Sequence, residues 1–268
     1  MPTGPVTWSK AWIEMIHRYL AMTVGVLILV MAIVSWVERR RLPHSPWWPT
    51  LTLVWVIVQG LFGKYTVTLK LYPAVVTLHL LGGLALLALL VAQREAWRAR
   101  PLKLAPGIGA LLAVTMTAVW LQIALGGWVS TNYAVLACRG FPTCNGAWWP
   151  EGMAFAEGFT LLRELGHAGH GALLSFDALV AIHVVHRSVA YLVLALLLAL
   201  AIRLVRAGAP ELRRYGFGFA GLAAWQLASG LSNVVLGWPI VAALAHSAGA
   251  AALVALGTSL WFRARRAA

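Results

Sequence analysis

The stretch ALVAIHVVHRSVAYLVLALLLALAIRLV, residues 178–205, decides how the rest of the chain is read. Its 28 residues carry no acid and only two arginines, Arg187 and Arg203. About 20 apolar residues suffice to cross the hydrocarbon core of a bilayer as a helix. The stretch also holds His183 and His186. Ionisable groups are costly inside a membrane and mark functional positions there.

Six further stretches read the same way, at 12–36, 48–67, 73–91, 107–130, 217–236 and 239–262. Seven spans make this an all-α, polytopic membrane protein. The composition agrees: 61% hydrophobic, 11% charged, mean hydropathy +0.80. The net charge of +13 would suggest nucleic acid in a soluble chain. Here the cations sit in short runs after spans one, three, five and seven, around Arg39–Arg41, Arg94–Lys103, Arg203–Arg214 and Arg263–Arg266. Positive-inside topology explains them, with no nucleic-acid partner. It places the C-terminus in the cytoplasm and the N-terminus outside, with the long loop 131–177 also outside. Tryptophans near the span ends, among them Trp12, Trp36, Trp48, Trp128 and Trp238, suit the lipid interface. No phosphate loop, HExxH or GxSxG pattern occurs. The N-terminus lacks the pattern of a cleavable signal.

The chain repeats itself. His17-Arg18 returns as His186-Arg187 at an offset of 169, and Gln59…Gly63 returns as Gln226…Gly230 at 167. His79 returns as His246, also at 167. Paired spans run in the same direction, so the repeat is parallel, about an axis along the membrane normal. The halves divide at 1–104 and 105–268. The fourth span, with Gln122…Gly126 and the loop after it, has no counterpart in the first half. Symmetry therefore predicts a helix and an outer loop ahead of residue 1.

His17, His79, His186 and His246 fall at similar depth near the outer face. His79 stands six residues after Pro73 and His246 seven after Pro239, about 9–10 Å into each helix. Each half thus offers two imidazoles from non-adjacent spans to one metal. Structural zinc wants four ligands, whereas a porphyrin needs only axial ones. Small residues follow two of the histidines: Gly82 and Gly83, and Ser247 to Ala250. They leave room for a macrocycle or simply let helices pack closely. Arg18 and Arg187 either meet haem propionates or snorkel to the interface. Three residues before His17 stands Glu14, where the second half has His183. Glu14 either moves protons or is a solvated first-turn acid.

Cys138 and Cys144 share the outer loop, where a disulfide is expected. It is read either as a loop staple or as an accessible redox pair. With His167 and His170 the two cysteines make a weak Cys2His2 zinc set. His44 is read as a solvated turn residue.

Five segments together resemble the heme A synthase family, in its proteobacterial branch. They are residues 12–20 with Glu14, His17 and Arg18, residues 126–132, Cys138…Phe141-Pro142-Thr143-Cys144, Ile182-His183…His186-Arg187, and Ala245-His246…Gly249. The resemblance implies an inner-membrane protein of two four-helix bundles, here three plus four. It implies oxidation of the C8 methyl of haem O to the formyl of haem A, by successive hydroxylations, for cytochrome c oxidase assembly. His186 and His246 would hold haem b, His17 and His79 the substrate haem, and Glu14 would be catalytic. Thiol chemistry is implied at Cys138 and Cys144. Implied partners are haem O synthase, the oxidase assembly line and membrane lipid; a homo-oligomer is left open. A di-haem electron carrier without chemistry of its own, and a transporter, are the rival classes.

Overall fold

The computed structural model describes residues 7–42, 44–98, 100–169 and 171–267, without the side chains of Ser9 and Lys10. Among these residues there is no strand, only two isolated bridges, Cys144–Ala147 and His167–Leu173. The long helices are α1 (Trp8–Val37), α2 (Trp47–Thr68), α3 (Pro73–Arg98) and α4 (Ile108–Thr131). A 3-10 turn (Ala134–Leu136) and the short α5 (Phe155–Gly158) follow. Then come α6 (Phe176–Arg206), α7 (Pro210–Val235) and α8 (Ile240–Arg265).

All seven expected spans are helices, and their ends follow local chemistry. Ser175 caps α6, its hydroxyl accepting from the Ala178 amide at 3.1 Å. Asp177 in the first turn of α6 and Arg203 and Arg206 in the last complement its dipole. Pro210 starts α7, where its missing N–H costs nothing. Gly107, at φ 80°, makes the left-handed turn into α4. Two helices outrun their apolar stretches: α3 continues to Arg98, and α7 starts at Pro210 rather than near 217.

Among the described residues six helices are long and apolar enough to cross a membrane: α1, α2, α3, α4, α6 and α8. The α7 helix, expected as the sixth span, is not among them. Its polar residues explain this, because Ser229 and Asn233 are buried against protein rather than facing lipid. The protein is all-α and polytopic.

The chain forms two compact units, 1–60 and 61–268. In the first, the indole N–H of Trp36 donates to Thr50 Oγ1 at 2.9 Å, and its ring meets Trp47 edge-on at 5.3 Å. In the second, α6 packs on α4 and α7, and α8 packs on α7 and α4. These four helices close into a bundle, with α3 lying against α4 and α8. Leu112, Val119, Leu197, Leu200, Leu204, Phe219 and Val254 fill its core. Between membrane helices, where lipid is as apolar as leucine, this core holds by close van der Waals packing. At one end, Glu95 of α3 is 5% exposed. It pairs with Arg94 at 2.7 Å and accepts from Ser259 Oγ of α8 at 3.1 Å. The long loop covers the opposite end.

Candidate functional site

A Gln four residues ahead of a Gly puts both on one helix face. This pattern occurs on α2, α4 and α7, and each glycine lies against an imidazole. A methyl at Gly126 would sit 3.0 Å from His186 Cε1, and one at Gly230 would sit 3.1 Å from His246 Cε1. At Gly63 the distance to His79 Cε1 is 3.3 Å. Each glycine clears a seat that any side chain would fill.

The glutamines hold the backbone of the seated residues. Gln122 Nε2 donates to the His186 carbonyl at 3.1 Å, and lies 3.1 and 3.3 Å from its two ring nitrogens. Gln226 Nε2 donates to the His246 carbonyl at 3.0 Å. Ser229 adds a contact that the repeat does not contain: its Oγ is 3.0 Å from His246 Nδ1. The corresponding positions on α2 and α4 are Phe62 and Leu125. No pattern in the sequence singled out Ser229.

Among the described residues no three His, Cys, Asp or Glu side chains gather into a metal site. His186 and His246 are therefore imidazoles without companion ligands, on two helices of one bundle. Gln122 Oε1, on the residue that contacts His186, is buried without a hydrogen-bond partner. Such a donor set is too small for zinc and suits a haem, which brings four nitrogens of its own. The residues present fit that group.

The first-half residues are distributed between the two units. On α1, His17 is exposed, and Arg18 bonds Glu14 at 2.5 Å with both side chains about half exposed, 53% and 55%. On α3, His79 follows Thr77, whose hydroxyl is 3.4 Å from that of Thr131. His183, which stands where the first half has Glu14, is buried, and its Nδ1 donates to the Ala134 carbonyl at 2.9 Å. Arg187 grips the cysteine loop, donating to the carbonyls of Thr143 at 2.7 Å and Gly140 at 3.0 Å. Tyr191 donates to the Pro142 carbonyl at 3.0 Å.

Cys138 and Cys144 form a disulfide. The expectation that it is accessible is corrected: the two residues are 0% and 2% exposed. The short loop folds down onto Val180 and Val184 of α6 instead of standing in solvent. The disulfide also removes both thiols from the zinc set. His167 Nδ1 bonds the Leu165 carbonyl at 3.2 Å, and His170 lies outside the described residues. His44, read as solvated, is half-buried.

Sequence reading also missed Arg163. It is 3% exposed, donates to Asn132 Oδ1 at 2.6 Å and stacks over the Trp128 ring at 5.4 Å. Burial lowers its pKa from the ordinary guanidinium value, opposed by the charge of Glu157 and by Tyr72.

Comparison with known proteins adds to this geometry. Residues 3–258 match the COX15-CtaA family, described as cytochrome oxidase assembly protein. A Shewanella oneidensis protein named Heme A synthase is 35% identical, over 98% of this chain and 80% of its own length. One of the same name from Caulobacter vibrioides is 30% identical, over 95% and 74%. A third, from Shouchella clausii, is 32% identical over 63% of this chain and 57% of its own.

Proposed function

The chain belongs to the COX15-CtaA family of cytochrome oxidase assembly proteins, and from that premise we propose that it is a haem A synthase, an oxidoreductase converting the C8 methyl of haem O to the formyl of haem A. The observation that carries this reading is the pair of glycine-seated imidazoles, His186 and His246, on one bundle, with no third ligand beside either among the described residues. Relatives named Heme A synthase, matched over most of their length, support it.

In this reading residues 105–268 are the b-haem half and residues 1–104 the substrate half. His186 and His246 hold haem b, which when bound supplies a one-electron centre. His17 and His79 hold haem O. Glu14, paired with Arg18, is the candidate proton acceptor of the substrate half. Arg18 and Arg187 would be the cations available to the propionates, Arg187 from its place against the cysteine loop. Cys138 and Cys144, joined and buried, act as the staple that holds the outer loop on α6. The protein sits in the bacterial inner membrane, with its N-terminus and cysteine loop outside and its C-terminus inside. Haem O synthase supplies the substrate, and cytochrome c oxidase assembly consumes the product.

The test is haem extraction and chromatography from membranes that make haem O, with and without this chain. Haem A or a hydroxylated precursor is expected with the chain. Both should vanish in Glu14→Gln and His17→Ala while haem b stays bound, whereas His246→Ala should lose haem b. Finding only b-type haem, with haem O untouched, would remove the enzyme and leave an electron carrier.

A further inference from the structure

Which nitrogen of His246 would be free for a metal follows from a chain of three hydrogen-bonding groups. Ser229 has one hydroxyl proton. Its Oγ lies 2.7 Å from the Trp225 carbonyl and 3.4 Å from that of Gln226. The Trp225 carbonyl can only accept and is the nearest of the three partners, so the proton is assigned to it. Toward His246 Nδ1, at 3.0 Å, the Ser229 oxygen can then act only as acceptor. Nδ1 must therefore carry the ring proton, and Nε2 keeps its lone pair. Ser229 is 8% exposed, so water does not compete for these bonds. The backbone behind the ring is fixed too, because Gln226 donates to the His246 carbonyl.

We propose that Ser229 is a positioning residue that holds His246 in the Nδ1–H tautomer and so presents Nε2 as an axial ligand. The inference rests on the reading of His186 and His246 as haem ligands. A metal-bound imidazole that donates its other N–H becomes a stronger donor to the metal. Ser229 thus does more than orient the ring: it stabilises the ferric state and lowers the reduction potential of this haem. Among the described residues His186 has no such acceptor. Leu125 stands where Ser229 would be, and the His186 ring is approached by the Gln122 amide nitrogen, a donor. The two axial ligands are therefore unequal, and His246 is the stronger donor.

The experiment compares purified wild type, Ser229→Ala and Ser229→Thr. It measures haem content, the low-spin ferric EPR spectrum and the reduction potential by redox titration. Ser229→Ala is expected to keep a bis-imidazole haem with a higher potential and a changed spectrum. Ser229→Thr, which retains the hydroxyl, is expected to return both toward wild type. If Ser229→Ala loses haem, its return in Ser229→Thr supports the proposal. A wild-type potential and spectrum in Ser229→Ala would overturn it. So would a threonine variant that behaves like the alanine one. A wild-type protein with no bis-imidazole spectrum would overturn the haem-ligand reading itself, and is told apart by the wild-type measurement alone.

Discussion

Arg187 Nη2 lies 3.4 Å from His183 Nε2, four residues back along α6. Because His183 Nδ1 donates to the Ala134 carbonyl, Nε2 is the nitrogen that accepts from the arginine. On α1, Arg18 bonds Glu14 at the same spacing. In both halves the arginine after a histidine is thus held by the residue three before that histidine. The partner is a neutral ring in one half and a carboxylate in the other. The buried ring ties down the turn after α4, whereas the carboxylate and its arginine stay about half exposed on α1.

Arg187→Ala should free the cysteine loop. Hydrogen bonds from charged groups contribute about 1.5–3 kcal/mol each, and 1.4 kcal/mol is a factor of about ten. The Cys138–Cys144 disulfide should then be reduced by a mild thiol at least about tenfold faster, read by alkylation and mass spectrometry. An unchanged rate would mean that burial against α6 alone protects it.

Alanine at the three seating glycines should act in order of the space available. A Cβ at Gly126 or Gly230 meets an imidazole at 3.0–3.1 Å, against 3.3 Å at Gly63. Overpacking of this kind costs about 1–3 kcal/mol. Gly126→Ala and Gly230→Ala should lower bound haem b or turn it high-spin. Gly63→Ala should leave haem b intact and reduce haem O conversion. Haem content and optical spectra of the three variants check the order.

Arg163→Ala should destabilise the long loop. It leaves Asn132 Oδ1 without its buried donor and removes the stack on Trp128. The expected loss is about 1–3 kcal/mol. Thermal inactivation and limited proteolysis in detergent should show the loop opening first, with cleavage between α4 and α6. Arg163→Lys should recover only part, since lysine lacks the planar fork that bonds Asn132 while stacking on the indole.

Glu95→Ala should loosen α3 from α8. The carboxylate is 5% exposed and holds Ser259, whose hydroxyl also meets Tyr215 at 2.7 Å. Hydrogen–deuterium exchange should rise at the Arg98 end of α3, while haem b on α6 and α8 stays bound. Unchanged exchange there would mean that apolar packing alone holds the helix.

What could be read from the chain alone was whatever varies along a single helix. Apolar length placed the seven helices, the run of cations set the expected topology, and the recurrence of Gln, Gly and His marked the four ligand candidates. The same reading gave α7 the standing of its neighbours. It missed that Ser229 and Asn233 are polar because they face protein. Hydropathy records what a residue is, not which side of a bundle it faces.

Sequence therefore determined an all-α membrane protein of this family, with histidines in matched positions. Only the tertiary structure decided which neighbour each histidine received. His246 met a serine hydroxyl, His186 a glutamine amide and His183 a backbone carbonyl, while the disulfide went under cover. Such partners come from other helices, and they depend on the rotation and shift of one helix against the next. A few ångströms of either changes a hydrogen bond completely while leaving the hydrophobic pattern of each helix as it was.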